Sequence, residues 1–316
     1  MILVTGGLGF IGAHTVRALI DAGESVVATR HRTARIPSFL ADEVGKRLFV
    51  ESLDVASPHA TIEVARKHPI SSVMHLVVTP LGALSPAEDY RLNMSGLINV
   101  LEAARIAGAK RVSIASSSAV YAGLPSGPFR EEAGVRLHPA FPTEAFKKSF
   151  ELLSLHYGDR TGLEVVALRI GNVYGPLYHS MGNLPSRIVH PAVKGLPGPL
   201  PRRDGKPDFA EDSSDFVYVK DCAAGVRAVH LAPKLNHQVY NIGSGTAVSG
   251  ADFAAAVAAA VPGARLALAA GRGPEYRPDA ALDLGRVTQD TGYRPRFGVS
   301  EAIADYAAWL KAGNSV

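Results

Sequence analysis

The chain has 316 residues, of which 47% are hydrophobic and 20% are charged, and its formal net charge is +4. This composition is typical of a soluble globular protein with a sizeable core, and without a lysine–arginine block it gives no support to nucleic-acid binding. A single cysteine, Cys222, excludes an intramolecular disulfide and a cysteine-based zinc cluster, so we expect a reducing, cytoplasmic environment.

The first twelve residues predict a phosphate-binding turn. Residues 2–4 are an apolar run typical of a buried strand, which leaves no room for a targeting peptide, and residues 13–22 have helical apolar spacing. The glycines between them fit both GxGxxG and GxxGxxG. Because glycine allows close approach to a pyrophosphate and a helix N-terminus offers free N–H groups, we expect a dinucleotide site rather than a plain turn. The cofactor-binding residues expected here are Gly6, Gly9, Phe10, Ile11 and Gly12.

The end of the second predicted strand, residues 25–29, bears on the choice of cofactor. A site for NAD has an acidic residue about 20 residues after the glycines, which binds the ribose 2′-hydroxyl. This chain instead has Arg30, His31 and Arg32. Arginine suits the 2′-phosphate of NADP, although an exposed basic loop would have the same sequence. We therefore expect NADP or NAD as cofactor, with Arg30 and Arg32 favouring NADP.

Strands and helices alternate through the next part of the chain. Strands are predicted at residues 48–53, 72–78, 112–116 and 164–169, and helices at 58–68, 86–107 and 143–157. This order predicts an α/β fold with a Rossmann-type, doubly wound parallel sheet. Ligands bind beyond the carboxyl ends of such strands, which is where the glycine turn, Asp54, Thr79 and Ser117 are expected to lie.

Beyond Gly175-Pro176 the composition changes. Residues 177–213 are rich in proline, glycine and arginine, with one short helix predicted near 185–194. The later elements predicted are a strand at 216–219 and helices at 221–231, 249–260 and 300–311. Charged residues and a proline interrupt the alanine-rich stretch 251–270, so it is not expected to span a membrane. We expect a dinucleotide-binding domain of residues 1–175, to which 215–243 return, and a smaller C-terminal substrate-binding lobe of 176–214 and 244–316.

A series of motifs along nearly the whole chain resembles the extended short-chain dehydrogenase/reductase family, the NAD(P)-dependent epimerases and dehydratases. The glycine turn resembles TGGxGxxG, and residues 96–104 resemble a GTxNVLEAA helix. Residues 116–121, SSSAVY, are similar to SSSxVYG, residues 169–176, RIGNVYGP, to LRxxNVYGP, and residues 215–221, DFVYVKD, to RDFVYVxD. Such a resemblance implies the fold and the cofactor but does not fix the reaction.

The resemblance implies roles for individual residues. Ser117 takes the place of the catalytic serine, and Lys147 that of the lysine that holds the cofactor ribose. Arg277-Pro278 resembles an RPGD segment whose arginine binds the diphosphate of a nucleotide sugar. The other cofactor-binding residues expected are Asp54, Val55, Val77 and Asn93, and the other substrate-binding residues are Ser118 and Asn172. Many relatives are homodimers joined by a four-helix bundle, which here would use helices 86–107 and 143–157.

The segment that should carry the family's catalytic YxxxK departs from it. Lys147 fits the lysine, but the tyrosine position is Thr143, one helical turn earlier. A phenol titrates at about 10, whereas an aliphatic hydroxyl does not ionise usefully near neutral pH, so threonine is a poor proton carrier. Either another group carries the proton or ordinary carbonyl chemistry is lost. The candidates by position, each of which also fits a plain surface or loop side chain, are Glu144, Lys148, His138, Tyr178 and His179.

Two further departures narrow the reaction. Dehydratases of the family follow the serine with Asp-Glu, which eliminates water, whereas Ser118-Ala119 stands here and disfavours sugar 4,6-dehydration. Ser214 replaces the arginine that often precedes the aspartate at position 215, which weakens the case for a nucleotide sugar. The eleven histidines show no HxxH or HExxH spacing, so no metal site is expected.

Two functions from different classes remain open. The first is an NAD(P)-dependent epimerase or oxidoreductase with a non-standard acid–base group, acting on a sugar-like, possibly nucleotide-sugar, or other hydroxyl or carbonyl small molecule. Its catalytic residues would be Ser117, Thr143 and Lys147. The second is a cofactor-binding protein with lost or redox-neutral chemistry, such as a sensor or a lyase-like relative. The intact cofactor and serine motifs favour the first, with no nucleic-acid or membrane partner.

Overall fold

The computed structural model describes residues 1–31, 35–78 and 84–314. The strands are β1 (Ile2–Thr5), β2 (Val26–Arg30), β3 (Leu48–Ser52), β4 (Ser72–His75), β5 (Arg111–Ser117), β6 (Glu164–Ile170), β7 (Asn172–Tyr174), β8 (Ser213–Tyr218), β9 (Val239–Ile242) and β10 (Ala247–Ser249). The helices are α1 (Phe10–Asp21), α2 (Ser38–Ala41), α3 (Pro58–Lys67), α4 (Pro86–Ile106), α5 (Pro142–Thr161), α6 (Leu184–Val193), α7 (Val219–Leu231), α8 (Gly250–Ala260), α9 (Gly285–Thr291) and α10 (Val299–Lys311). A short 3₁₀ helix, Ser118–Tyr121, follows β5.

Seven parallel strands form the main sheet, in the order β3-β2-β1-β4-β5-β6-β9. Ile2 of β1 lies opposite Val26 of β2 on one side and opposite Ser72 of β4 on the other. The direction in which the strand order grows therefore reverses between β1 and β4. Ligands of doubly wound sheets bind at such a reversal, beyond the carboxyl ends of the strands. The Rossmann-type, doubly wound α/β fold predicted from the sequence is confirmed.

Helices cover both faces of the main sheet and enclose two apolar cores. Helix α1 packs against α7 on one face, and α4 packs against α3 and α5 on the other. Successive residues of β1 feed both cores, because side chains alternate along a strand. Val4 belongs to the core that contains α1 and α7, and Leu3 to the core that contains α4 and α5. The predicted apolar face of α1, Val16, Leu19 and Ile20, is buried.

Local signals set the ends of the two longest helices. Ser85 and Glu88 form a capping box at the start of α4, where the Glu88 N–H donates to the Ser85 hydroxyl at 3.4 Å. Helix α5 begins at Pro142, whose missing N–H costs nothing there, and ends before Gly162 in the left-handed region at φ 74°. This start places positions 143 and 147 in the first two turns of α5.

A second sheet of three short strands has the order β10-β8-β7. Strand β8 pairs in parallel with β7 and antiparallel with β10. Residues 215–243 are therefore divided, because β8 lies in this small sheet while β9 lies in the main sheet beside β6. Helices α6, α8 and α10 pack against one another. Among the described residues, no helix combines the length and apolar character needed to cross a membrane.

Candidate cofactor and substrate site

The glycine turn between β1 and α1 forms a tight cradle. Gly6 adopts a φ of +71°, and the Gly9 N–H donates to the Gly6 carbonyl at 2.9 Å. A Cβ on Gly12 would lie 2.0 Å from the same carbonyl oxygen, so no side chain fits there. Among the atoms of described residues, a Cβ on Gly9 would meet only that oxygen, at 3.2 Å. No described side chain caps the start of the helix, which leaves its first N–H groups for a ligand.

The other predicted cofactor residues lie around this cradle to different degrees. A methyl group of Val77 packs over Gly6, and a Cβ placed on Gly6 would lie 2.9 Å from that methyl carbon. Val55 is buried and accepts a hydrogen bond from the Asn99 amide at 2.9 Å. Asn93, one turn before Gly96 on α4, is also buried. Gly96 itself touches Val55, with its Cβ position 3.0 Å from a methyl carbon. Helix α4 therefore holds the segment after β3 in place.

The polar residues at the ends of β2 and β3 are more accessible. Asp54 is exposed, and its carboxylate accepts a hydrogen bond from the Ala56 N–H at 3.0 Å. Arg30 is partly buried at the end of β2, and His31 after it is exposed. Arg32 and Thr79 lie outside the described residues. Phe10 and Ile11 are partly buried in the first turn of α1.

Lys147 of α5 reaches strand β5 close to its carboxyl end, where Ser117 is the last residue. The buried ammonium group of Lys147 donates to the Ala115 carbonyl at 2.6 Å, two residues before Ser117. Burial lowers the pKa of Lys147 to about 8, and the nearby negative charge of Glu151 opposes that shift. The hydroxyl oxygen of Ser117 accepts the Ala119 N–H at 3.1 Å. Of the three predicted catalytic residues, Ser117 thus ends β5 and Lys147 hydrogen-bonds the same strand two residues earlier.

Thr143 lies in the first turn of α5, one turn before Lys147, and is partly buried. Its neighbour Glu144 is completely buried, and its carboxylate accepts hydrogen bonds from Arg136 at 3.0 Å and Lys148 at 2.7 Å. Burial alone would raise the pKa of Glu144, but these two cations and the Ala140 N–H outweigh it and lower the pKa to about 2. Glu144 is therefore a fixed anion and a poor proton donor, and Lys148 is bound to it.

The three other candidates for the proton step are placed differently. His138 is exposed, and His179 is exposed beside the Leu177 carbonyl. The ring of Tyr178 packs edge-on against Phe10, with 5.0 Å between ring centroids. Tyr178 is thus the candidate that contacts a predicted cofactor-binding residue.

A buried polar network, which could not be identified from the sequence, lies beside the carboxyl end of β5. The Glu151 carboxylate binds Arg169 at 2.8 Å and accepts a short hydrogen bond from the Ser116 hydroxyl. Arg169 also donates to the Tyr121 hydroxyl at 3.0 Å, which in turn donates to Asn241 at 2.7 Å. Burial raises the pKa of Tyr121 to about 12, so this phenol stays neutral. The network ties α5, β6 and β9 to the end of β5.

His75 is a second residue that the sequence analysis missed. It lies at the end of β4 and is almost fully buried, and one ring nitrogen is 2.8 Å from the Thr5 hydroxyl. Burial lowers its pKa to about 3, and the charge of Lys147 adds to this effect. The neutral imidazole therefore adds no second positive charge beside Lys147. His14, His190 and His230 are buried as well, so what distinguishes His75 is its position at the carboxyl end of β4 and the nearby charge of Lys147, neither of which a single sequence displays.

Residues from the small sheet and its loops line a cavity of about 400 Å³. The predicted substrate residue Asn172 lies in its wall and donates to the Ser214 hydroxyl at 2.9 Å. The wall also contains apolar side chains, among them Leu184, Phe209 and Phe216. Its charged side chains are those of Arg187, Arg202, Arg203, Asp204, Asp208 and Asp212. Arg187 lies on α6, whereas Arg202 and Arg203 come from a loop without periodicity, and no role was predicted for any of the three from the sequence.

The other two predicted substrate residues lie in or beside the segment that follows β5. Ser118 begins the 3₁₀ helix that follows Ser117. Arg277 donates to the Tyr121 carbonyl at 3.2 Å, and its guanidinium lies 4.8 Å from the centre of the Phe129 ring. Neither residue lines the cavity of the small sheet. Within the described ranges, no group of three His, Cys, Asp or Glu side chains could hold a metal ion.

Comparison with known proteins identifies the family. Residues 2–243 match the model of the NAD dependent epimerase/dehydratase family. The chain is 27% identical over 331 residues to a dTDP-glucose 4,6-dehydratase of Actinoplanes sp., covering 99% of this chain and 98% of that protein. It is 28% identical over 338 residues to a UDP-glucose 4-epimerase of Azospirillum brasilense, covering 98% of this chain and 92% of that protein.

A solved structure agrees with this assignment. The UDP-glucose 4-epimerase of Thermus thermophilus in complex with NAD has a TM-score of 0.79 and 27% identity, covering 100% of this chain and 99% of that one. The family match begins at β1 and its glycine turn and extends through β9, the edge strand of the main sheet. It therefore contains every strand of that sheet. The chain belongs to the NAD dependent epimerase/dehydratase family.

Proposed function

We propose that the protein is an NAD(P)-dependent epimerase or oxidoreductase that acts on a nucleotide sugar. The observation that carries the proposal is the hydrogen bond from Lys147 to Ala115 of β5, the strand that ends at Ser117 and lies in the same sheet as the strand before the glycine cradle. Relatives along nearly the whole chain are named for UDP-glucose and dTDP-glucose chemistry. Ser118-Ala119 lacks the acid pair of the dehydratases, which favours epimerisation over dehydration.

The residues of the cradle fit a dinucleotide, because the space above Gly9 is open where a Cβ would enter it. When bound, the nicotinamide cofactor supplies a hydride acceptor. The chain's own groups hold it and orient the substrate. In this proposal the Lys147 ammonium binds ribose hydroxyls, and the Ser117 hydroxyl hydrogen-bonds the reacting oxygen of the substrate. The residues proposed to bind the cofactor besides Lys147 are Gly6, Gly9, Phe10, Ile11, Gly12, Arg30, Arg32, Asp54, Val55, Val77 and Asn93.

We infer that position 143 does not carry the proton, since an aliphatic hydroxyl does not ionise usefully near neutral pH. Glu144 does not replace it either, because Arg136 and Lys148 hold its carboxylate as an anion. Tyr178 is the candidate best supported, since its ring contacts Phe10 at the start of α1. A phenol there would keep the chemical type of the missing tyrosine while moving it to the loop after β7.

Direct turnover tests the proposal. Purified protein would be incubated with NAD or NADP and either UDP-glucose or UDP-galactose, and the sugar would be followed by proton NMR. We expect interconversion at C4 without net accumulation of reduced nicotinamide. Accumulation of reduced cofactor would instead mark a dehydrogenase. A protein that binds the cofactor but alters no sugar nucleotide would support the alternative of lost or redox-neutral chemistry.

Thr143→Tyr is expected to lower the turnover of the native substrate by at least tenfold without weakening cofactor binding. The site keeps Lys147 and Ser117, so we infer that it has been rebuilt around another proton carrier, and an added ring at position 143 crowds the substrate. Groups of this kind contribute about 10²–10⁴ in rate, so the change exceeds assay error. Steady-state kinetics would measure it. A rise in turnover would show that Thr143 merely fills a vacated position, and no change would show that it does not border the reacting centre.

Arg30 should favour NADP over NAD. A charge-assisted contact to the 2′-phosphate supports about a tenfold difference in affinity, and Arg30→Asp should reverse the preference. Competitive titration by calorimetry would measure both. Lys46→Asp is the control, because it makes the same charge change on an exposed residue that precedes β3, at the amino end of the strands. Tighter binding of NAD by the unaltered protein would contradict this assignment.

The exposed face of α4 and α5 supports a homodimer. Ile98, Leu152 and Leu153 are 44%, 73% and 51% exposed, beside an apolar groove of about 460 Å³ between the two helices. We expect a dimer by light scattering at micromolar concentration and a monomer for Leu153→Glu, which buries a charge in that face. Leu137→Glu is the control, because this leucine is 92% exposed and lies on neither helix. A monomeric unaltered protein would reject the dimer.

A further inference from the structure

The cavity of the small sheet contains one arginine that no carboxylate of a described residue neutralises. Arg187 is buried and forms a close ion pair with Asp208. Arg202 pairs with Asp204 through two hydrogen bonds of 2.9 and 2.8 Å. Arg203 lines the same cavity, yet within the described ranges it forms no ion pair and donates only to the Ser180 carbonyl, at 3.1 Å.

The remaining carboxylate of the cavity does not compensate for this charge. Asp212 has no ion pair with a described residue, and one of its oxygens accepts the Gly273 N–H at 2.8 Å. Position 214, where relatives often have an arginine, holds a serine whose hydroxyl accepts from Asn172. Ser214 and Arg203 line the same cavity. The wall therefore keeps an arginine, at position 203, although position 214 holds a serine where relatives often have one.

The segment that carries Arg203 is linked to Glu275 on both sides of that residue. Arg202 lies 3.8 Å from the Glu275 carboxylate, and Lys206 binds it at 2.6 Å. The Ser180 carbonyl holds the Arg203 guanidinium itself. A side chain restrained in this way loses less conformational entropy when it binds a ligand than a freely moving one.

We propose that Arg203 binds the phosphate groups of the substrate and takes over the role of an arginine at position 214. A guanidinium matches phosphate oxygens through paired N–H groups, and Arg203 is the cation of this wall whose charge no described carboxylate already uses. The apolar wall of Leu184, Phe209 and Phe216 suits a ring attached to those phosphates. This inference rests on the proposed function, because it concerns the substrate of the same site.

Binding of UDP and uridine tests the inference separately from turnover. Calorimetry would be done with saturating NAD, so that the glycine cradle is filled and cannot bind the probe. We expect Arg203→Gln to weaken UDP binding about tenfold and to leave uridine within about twofold, since only UDP carries phosphates. Arg203→Lys should lose less than Arg203→Gln, because it keeps the charge but not the fork. Ser214→Arg in the Arg203→Gln background should restore affinity for UDP.

Arg265→Gln is the matched control. Arg265 is also exposed and also donates to a loop carbonyl, that of Gly195 at 3.0 Å, but it lies outside the cavity. Equal UDP affinity in Arg203→Gln and the unaltered protein would overturn the inference and leave the proposed function standing. Failure of Ser214→Arg to restore UDP binding would overturn the exchange of positions.

Inorganic pyrophosphate separates the remaining outcomes. If the unaltered protein bound pyrophosphate through Arg203 but not UDP, the phosphate role would stand and the nucleotide-sugar function would fall. If it bound neither probe, both would fail. Thermal unfolding of each variant would verify that the fold is intact. We expect it to be intact in the variants at position 203, because Arg203 is exposed.

Discussion

Gly9→Val is expected to weaken binding of NAD or NADP at least 100-fold while the protein remains folded. Among the atoms of described residues, the Cβ would meet only the Gly6 carbonyl oxygen, at 3.2 Å, so the turn itself tolerates the change with a small adjustment. The valine methyl groups then occupy the space through which a pyrophosphate approaches the backbone. Losing two charge-assisted N–H contacts of about 1.5–3 kcal/mol each accounts for the loss of affinity. Calorimetry with each dinucleotide would measure it.

Two other glycines provide the controls. Gly12→Ala should unfold the turn, because its Cβ would lie 2.0 Å from the Gly6 carbonyl oxygen, and thermal unfolding would report this loss of stability. Gly134→Val should change neither binding nor stability, because no atom of a described residue lies within 4 Å of its Cβ position. Unchanged dinucleotide affinity in Gly9→Val would place the cofactor site elsewhere.

Glu151→Ala is expected to lower the free energy of unfolding by about 3–5 kcal/mol. The change leaves Arg169 buried without its anion and removes the acceptor of the Ser116 hydroxyl. Two other partners of Arg169, the Tyr121 hydroxyl and the Glu131 carbonyl, carry no compensating charge. Urea unfolding followed by circular dichroism would measure the loss. Most of this loss in the free energy of unfolding comes from leaving the Arg169 guanidinium buried without a counter-charge, rather than from losing its attraction to Glu151.

A surface pair and a double substitution check this cause. Glu211→Ala removes the partner of Arg272, and both side chains are more than half exposed, at 56% and 58%, so about 1 kcal/mol or less should be lost. Replacing both members of the buried pair, Glu151→Leu with Arg169→Met, should cost less than Glu151→Ala alone. A loss below about 1 kcal/mol for Glu151→Ala would mean that Arg169 needs no anion.

The strands of the main sheet could be predicted because the residue types within each strand are enough to indicate it. Strand β1 begins with three apolar residues and β2 with two valines, as is common in strands buried on both faces, and each predicted start or end of these two strands lies within a few residues of the observed one. Helix α6 was predicted near 185–194 and spans Leu184–Val193. Such segments need no information from distant parts of the chain.

Partners that lie far apart in sequence could not be predicted. Strands β7 and β10 have three residues each, too few for a pattern, and only pairing with β8 defines them. The N–H of Asn241 donates to Glu131, which lies 110 positions earlier. Arg203 stands out only because carboxylates pair with the other two arginines of the cavity, Arg187 and Arg202, and not with Arg203. A sequence identifies the residue types in such a loop but not which charges find partners.

The position of β9 has a consequence for synthesis of the chain. Strand β6 pairs with β9 through Ala167 to Ile170, yet residues 171–238 separate the two strands. While the ribosome produces that stretch, the apolar outer edge of β6 has no neighbour, and an unpaired strand edge is where nascent chains associate wrongly. Strand β9 therefore completes the sheet late. We expect the exposed edge of β6 to need chaperone protection most while residues 171–238 are being synthesised.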